Sequence, residues 1–550
     1  MENLSDKELI QKALEDLNLS AEWWKSLLGQ PLDVNEFDEY KAADRLPRTE
    51  LDAARAIKLA FGHALTFTAT DQRWYIWDGR IHRPCETEQA AREAVVAFHD
   101  HLSKALAWVH DTAVLATRGI TGKEKGQALK DSADRFREAR AVRSRLATDA
   151  GIKAVTALLR GEAGVAGERY TATAVNAPER RYFVVRNGVI DLEQYRSEGK
   201  PTLLPHDPSR PVYRYFDADF KEGHTPEDYP NWRHYLSTSI VDWETACLLQ
   251  KGVGAAFSAA KKPRALFNLL GEPQSGKSMF LTVFTDLGQG YSEFGDRQAV
   301  QLLKGELNPY REDLRGKRFM AFSEVQGKPL DDAFIKGVMG GDPQKTRGLY
   351  AKQSGWMPQG VMFIASNKVL DVDTRDDATF GKVLPIWYPH TFTKEDPSYR
   401  VDIDLEEKIL GERDGLLHWV LQGMARYWAE GLDPTAAVLE KMDENKTKSS
   451  YALTFIKALL DEGYLEHDPT ATTSHCLPVN IAFTLFSLWA DDVEVKNKPG
   501  KTSFTADIAN AYHGQKKSGV WTFAGLRMSK TLKEVPTNPV LMKSVLSSMT

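Results

Sequence analysis

No stretch of this chain approaches the roughly 18–20 consecutive apolar residues that a membrane-spanning helix needs, so no contact with a membrane is expected. Cysteine is scarce. Cys85, Cys247 and Cys476 stand alone and far apart, which excludes a disulfide framework and zinc-ligand spacing and fits a reducing, cytoplasmic setting. The opening Met-Glu-Asn-Leu-Ser-Asp-Lys has neither a basic start nor an apolar centre, so no secretory signal is expected there. An excess of positive charge is missing too. With a formal net charge of −5, any nucleic acid must be met by a local basic surface. What remains is ordinary globular composition, 42% apolar and 27% charged. The 550 residues exceed one core, since single cores rarely grow past about 250–300 residues.

Along the chain, residues 1–30 read as a short helical piece in which Ser5 and Glu8 can form a capping box, and 29–40 as an acidic linker. Residues 50–160 are mostly helical in pattern, interrupted by Trp74-Tyr75-Ile76-Trp77-Asp78-Gly79-Arg80, a hairpin signal. A helix over 124–148 carries Arg135, Arg137, Arg140, Arg143 and Arg145. Asp131, Asp134 and Glu138 are interleaved with them, which favours a solvated face. Tyr182–Leu192 reads as two strands around Asn187-Gly188, with Pro205-His206-Asp207-Pro208 as a further turn. Residues 230–262 are helical in pattern. From Ala265 to Phe392 the rhythm is strand–loop–helix, with strands at Ala265–Leu270, Arg318–Phe322 and Gly360–Ala365. Residues 403–432 are helical with breaks at Gly411 and Gly415. Asp443–Ser450 reads as a polar linker, and 451–550 as a small separate domain.

Three strand ends carry polar residues of a kind that handles phosphate. Gly271-Glu272-Pro273-Gln274-Ser275-Gly276-Lys277-Ser278 fits the phosphate-loop pattern, with an apolar strand entering and a helical run leaving. In that context the backbone N–H groups and the helix N-terminus face phosphates. Lys277 reaches the β and γ phosphates and Ser278 ligates Mg²⁺, so ATP with Mg²⁺ is the expected ligand pair. Glu324, where the second strand leaves the core, is the candidate for activating water and a second metal-ligand candidate. Asn367, after the third strand, suits the γ-phosphate or the attacking water. A surface glutamate and a turn-forming asparagine are the plain alternatives.

Lys277, Glu324 and Asn367 within about 100 residues together resemble the virus-type superfamily 3 helicases, whose core is an AAA+ P-loop ATPase. Lys336–Lys352 resembles the motif that in this family leads into a DNA-gripping hairpin. Trp74-Tyr75-x-Trp77-Asp78-Gly79, Asn187–Leu192 and Pro205–Pro208 resemble the accessory domain of phage, satellite-phage and poxvirus primase–helicases. The resemblance covers roughly 50–435 and extends weakly to a winged-helix tail. It implies an α/β AAA+ core over 241–440, a mainly helical accessory domain over 46–240 after an N-terminal segment over 1–45, and a winged-helix-like α+β domain over 451–550. It further implies a homo-hexamer translocating 3′→5′ on single-stranded or forked DNA, with a separate primase or polymerase as partner, since residues 1–50 are too few for a primase. The second motif reads Ser323-Glu324 where relatives have two acidic residues. Where relatives carry an arginine finger, Lys382 or Arg375 is the candidate here.

Within the hairpin motif, Lys345, Arg347 and Lys352 are candidate phosphate contacts, while Tyr350 and Trp356 either stack on bases or pack the core. Residues 495–533 carry eight basic residues against the single acidic Asp507, with Lys516 and Lys517 the candidate duplex contacts. A replicative helicase of a phage or mobile element is the leading expectation. The alternatives are an ATPase that recognises an origin or loads another helicase, and a small-molecule kinase using the same loop.

Overall fold

The computed structural model describes residues 5–17, 23–28, 37–68, 72–85, 87–162, 164–165, 181–240, 242–258, 263–302, 308–325, 330–346, 354–370, 381–393, 401–468, 476–492, 499–512, 514–517 and 520–529. The chain divides into two compact units, Met1–Glu222 with Leu287–Tyr291, and Gly223–Asp286 with Ser292–Thr550. It is mixed α/β, with a helical N-terminal region and a parallel sheet. Among the described residues no helix is long and apolar enough to cross a membrane.

The first unit contains helices α1 (Asp6–Asp16), α2 (Trp23–Leu28), α3 (Glu39–Arg45), α4 (Glu50–Phe61), α5 (Gln89–Ala116), α6 (Gly122–Arg135), α7 (Arg137–Leu146), α8 (Asp149–Glu162) and α9 (Leu192–Glu198). Its strands are β1 (Leu65–Thr68), β2 (Arg73–Trp77), β3 (His82–Pro84), β4 (Gly164–Val165), β5 (Tyr182–Val185), β6 (Gly188–Asp191) and β7 (Leu203–Leu204). The Ser5–Glu8 capping box forms at the start of α1. The expected hairpin is β2–β3, and Asp78 Oδ1 closes its turn by accepting from the N–H groups of Arg80 and Ile81. Trp23, Phe61, Phe98 and Leu102 belong to the buried core of the helices.

Three details of this unit differ from the sequence reading. The segment 29–40 is not wholly linker, because Asp38 caps α3 at Glu39. The arginine-rich run is two helices broken at Phe136; Arg145 is 61% exposed, as a solvated face requires, although it pairs with Glu50, while Arg135 is half-buried and tied to Glu39. The β5–β6 turn is Arg186-Asn187, one residue earlier than expected. Asn187 instead exchanges hydrogen bonds with the backbone of Phe220 (2.9 and 2.8 Å), and a Cβ on Gly188 would lie 2.5 Å from the Leu204 carbonyl oxygen.

The Pro205–Pro208 turn is locked by imidazoles. His206 Nε2 bonds the Arg186 carbonyl at 3.0 Å, and the buried His82 Nε2 bonds that of Pro208 at 2.9 Å. Burial pushes His82 down from 6.5 to about 4. Above pH 6.5 both folded and unfolded imidazoles are neutral. Below it the unfolded one takes a proton that the buried one refuses until about pH 4. Folding stability should therefore fall by up to about 3 kcal/mol over that window. Denaturant melts at pH 7 and 4.5 should show the fall, and His82→Phe should lose that part of the slope.

The second unit contains α10 (Pro230–Ser239), α11 (Trp243–Ser258), α12 (Lys277–Leu287), α13 (Asp332–Gly340), α14 (Leu405–Gly411), α15 (Arg413–Glu430), α16 (Ala436–Ser449), α17 (Tyr451–Asp461), α18 (Val479–Asp492) and α19 (Lys501–Tyr512). Its strands are β8 (Leu266–Gly271), β9 (Ser292–Phe294), β10 (Phe319–Phe322), β11 (Gln344–Thr346), β12 (Ser354–Trp356), β13 (Val361–Ser366), β14 (Val383–Tyr388), β15 (Leu465–His467), β16 (Cys476–Pro478), β17 (Gly514–Lys517) and β18 (Val520–Met528). Five of these form one parallel sheet in the order β14-β8-β13-β10-β9. The runs of β8, β10 and β13 are buried at every position, as parallel strands covered on both faces must be. Phe267, Phe363 and Phe319 stack across neighbouring strands, with centroids 5.0 and 4.4 Å apart. Trp232 of α10 lies against Phe280, Phe284 and Trp419.

Two expected interruptions in this unit do not occur. Gly415 lies inside α15, where the Asp228 carbonyl oxygen would stand 2.8 Å from a Cβ, so it allows close packing rather than a break. Asp443–Ser449 belongs to α16 instead of a linker. Residues 451–529 carry a core of their own, including Phe455, Phe486, Trp489 and Phe504. Its three helices pack on strands ordered β15-β18-β16, with β17 paired antiparallel to β18.

Candidate functional site

At the carboxyl ends of β8, β10 and β13, where open α/β sheets bind ligands, lies a cavity of about 540 Å³. Its lining brings together Lys277, Ser278, Glu324 and Asn367, residues drawn from three sequence motifs. Neighbouring parallel strands end side by side, so polar groups placed just past each end converge without any contact in sequence.

The phosphate loop has the backbone its glycines imply. Gly276 has φ +91°, and Gln274, a non-glycine, is also left-handed at φ +62°. At Gly271 a Cβ would meet the Tyr388 carbonyl oxygen at 2.5 Å, so the first glycine of the motif lets β14 close against β8. Lys277 Nζ donates to the carbonyls of Gly271 (2.7 Å) and Glu272 (2.6 Å) and to Ser275 Oγ (2.9 Å). Burial pushes this ammonium down from the usual lysine range, opposed by Glu272. A desolvated cation held by exchangeable oxygens at a helix N-terminus is suited to an anion.

Glu324 is exposed into the cavity and stands at φ +54°, in the left-handed region that costs a non-glycine residue of order 1–3 kcal/mol. Asn367 follows Ser366, whose hydroxyl accepts from Asn268 Nδ2 at 2.8 Å. The same amide donates to the Ile364 carbonyl at 3.1 Å, so Asn268 pins the end of β13 to β8. A polar residue inside the apolar run Ala-Leu-Phe-Asn-Leu-Leu was the sequence signal for it. Asn268→Ala is expected to destabilise the chain by about 1–3 kcal/mol, read by denaturant melting, and to loosen Asn367.

Other contributors carried no sequence signal. Tyr235 of α10 donates its hydroxyl to the Gly276 carbonyl (3.0 Å) and lies 3.2 Å from the Tyr388 hydroxyl. Burial pushes both phenols up, so both stay protonated. The Phe392 N–H donates to the Gln274 carbonyl at 2.9 Å, fastening the segment after β14 to the loop. His234, Thr238 and Asp402 complete the rim. Hydrogen bonding by Lys408 holds the Asp402 carboxyl below the usual range.

Not every expected residue reaches this cavity. Lys382 precedes β14 and accepts from the Leu266 N–H at the opposite end of the sheet. Five strand steps separate that end from Gly271, about 16 Å at roughly 3.3 Å per residue, which is beyond a lysine's reach. Arg375, Arg347, Tyr350 and Lys352 lie outside the described residues. Lys345 lies on β11, paired antiparallel with β12 in the expected hairpin. Trp356 is buried in the core, so of its two expected roles it has packing rather than base stacking. Lys516 and Lys517 lie on β17, opposite Trp521 and Val520. Among the described residues no three His, Cys, Asp or Glu side chains cluster as a metal site. Ser278 and Glu324 both line the cavity, an arrangement that fits a metal shared between protein and phosphate oxygens.

Comparison with known proteins gives partial likenesses. Residues 54–240 match the family described as D5 N terminal like. The "Putative helicase L207/L206" of Acanthamoeba polyphaga mimivirus is 22% identical over 305 residues, which cover 51% of this chain and 31% of that protein. The chain thus spans under a third of that relative's length. Among solved structures, the apo NrS-1 C-terminal region (305–718) is 11% identical with a TM-score of 0.36, covering 62% of this chain and 92% of that one. An A-form apo structure of the same region is 15% identical with a TM-score of 0.37, covering 62% and 93%.

Proposed function

We propose that this chain is an ATP-dependent, ring-forming replicative DNA helicase of the superfamily 3, AAA+ kind, from a phage or mobile element. The observation that carries this reading is the convergence of Lys277, Glu324 and Asn367 on one cavity at three neighbouring strand ends. The parallel strand order, fifth-first-fourth-third-second in chain order, supports an AAA+ core. The D5 N terminal like match supports the accessory domain, and the mimivirus relative's name supports the activity. The helix order and the β17–β18 hairpin of the last domain support a winged helix.

In this mechanism the loop N–H groups bind the triphosphate, and Lys277 leaves its loop oxygens for the β and γ phosphates. Ser278 and Glu324 are the residues that would hold Mg²⁺, which when bound would supply positive charge against the phosphates. The Glu324 carboxylate takes a proton from the attacking water. The Asn367 amide holds that water or the γ-phosphate. Because Lys382 stands at the far end of the sheet, any part it plays in hydrolysis is at a neighbouring copy's cavity. Arg375 is the other finger candidate, and a homo-hexamer supplies such neighbours. Lys345, Arg347 and Lys352 then grip single-stranded DNA in the ring, while Lys516 and Lys517 meet duplex at the fork. A separate primase or polymerase is the expected partner, in the cytoplasm.

Strand displacement on forked DNA tests this reading. Unwinding by the wild type and none by Lys277→Ala is the expected result, and ATP-dependent unwinding by Lys277→Ala would refute it. DNA-stimulated hydrolysis without displacement would point to a helicase loader.

A further inference from the structure

Ser239 closes α10, is 1% exposed and is one of the residues lining the cavity, and its buried hydroxyl has no hydrogen-bond partner among the described residues. Its neighbours behave differently. Ser237 and Thr238 return their hydroxyls to the His234 carbonyl at 2.9 and 2.8 Å, the usual recourse of a helical hydroxyl. Ser239 faces the phosphate loop instead, with Oγ 3.1 Å from where a Cβ on Gly276 would stand. One turn earlier on α10, Tyr235 bonds the Gly276 carbonyl, so the helix is fixed against the loop at the same residue.

A buried hydroxyl left without a partner is destabilising, and native structures satisfy such groups with few exceptions. A ligand oxygen can supply what the protein withholds. We propose that Ser239 is a phosphate-binding residue of this cavity, its hydroxyl donating to a phosphate oxygen of the bound nucleoside triphosphate. The proposal rests on the nucleotide reading above. Phosphate is favoured over ribose because the hydroxyl abuts Gly276, the phosphate-loop residue that immediately precedes Lys277. A serine that merely fills space beside a glycine would predict no change in binding when its oxygen is removed.

The test uses the full chain, wild type and Ser239→Ala, titrated calorimetrically with ATP and with inorganic tripolyphosphate, each with Mg²⁺. Both proteins are also melted without ligand. The variant should bind both ligands about 10- to 100-fold more weakly, the range for a hydrogen bond to a charged group. Its melting temperature should be unchanged or higher, because the unpaired donor is gone. Wild-type affinity for tripolyphosphate in the variant would overturn the proposal. So would a loss confined to ATP, which would place the contact on the nucleoside, and so would a lowered melting temperature, which would reveal a protein partner for the hydroxyl. Failure of the wild type to bind either ligand would instead remove the nucleotide reading itself, and the proposal with it.

Discussion

Lys277→Ala is expected to lower ATP hydrolysis by roughly 10²–10³-fold, the loss seen when one preorganised donor to developing charge is removed, with little change in melting temperature. The two effects separate because of what the ammonium does in each state. Without nucleotide it satisfies the Gly271 and Glu272 carbonyls and Ser275 Oγ, which border an open cavity where water can take its place. With nucleotide, no other lysine among the cavity-lining residues can replace it on the phosphates. Phosphate release under saturating ATP and a thermal melt measure the two quantities. Turnover within a factor of a few of wild type would mean that this loop does not carry the chemistry.

Glu324→Gln should leave ATP binding intact and lower hydrolysis by roughly 10²–10⁴-fold, the usual contribution of a positioned general base. The amide keeps the shape of the side chain and an oxygen that can still face the metal, so binding survives, but it cannot take the proton. The left-handed backbone at Glu324 sharpens the expectation, since strain at a non-glycine residue persists where the surroundings impose it. Equal affinity for ATP in calorimetry, with turnover lost, is the expected pair of results. Unimpaired turnover would make Glu324 an ordinary rim residue and leave the attacking water to another group.

Much of the site was legible because its signals are local. A glycine-rich loop between an apolar strand and a helix declares itself over a few residues, and the polar ends of two further apolar runs, Glu324 and Asn367, are visible the same way. The turns were less legible. Asn187-Gly188 carries a strong hairpin signature, yet the turn moved back one residue because Asn187 bonds Phe220 and Gly188 is pressed on Leu204. Asp443–Ser450 looked like a linker because it is polar, but helix α16 runs through Ser449, and polarity alone does not stop a helix. Arginines over 135–145 looked uniformly solvated, and Arg145 is, but α3 brings Glu39 to a half-buried Arg135.

The sequence by itself determined which residues at the strand ends can meet a triphosphate, because period, glycine spacing and the apolar-to-polar change at a strand end are properties of consecutive residues. Only the tertiary structure decided that Tyr235, Ser239 and Tyr388 press on the same loop, that Asn268 fastens the strand leading to Asn367, and that Lys382 stands at the far end of the sheet from its own cavity. Those relations depend on which strands neighbour which and on a helix laid across them. They are set by burial of apolar faces between residues 41, 98 and 153 apart in sequence, where no local pattern records the partner.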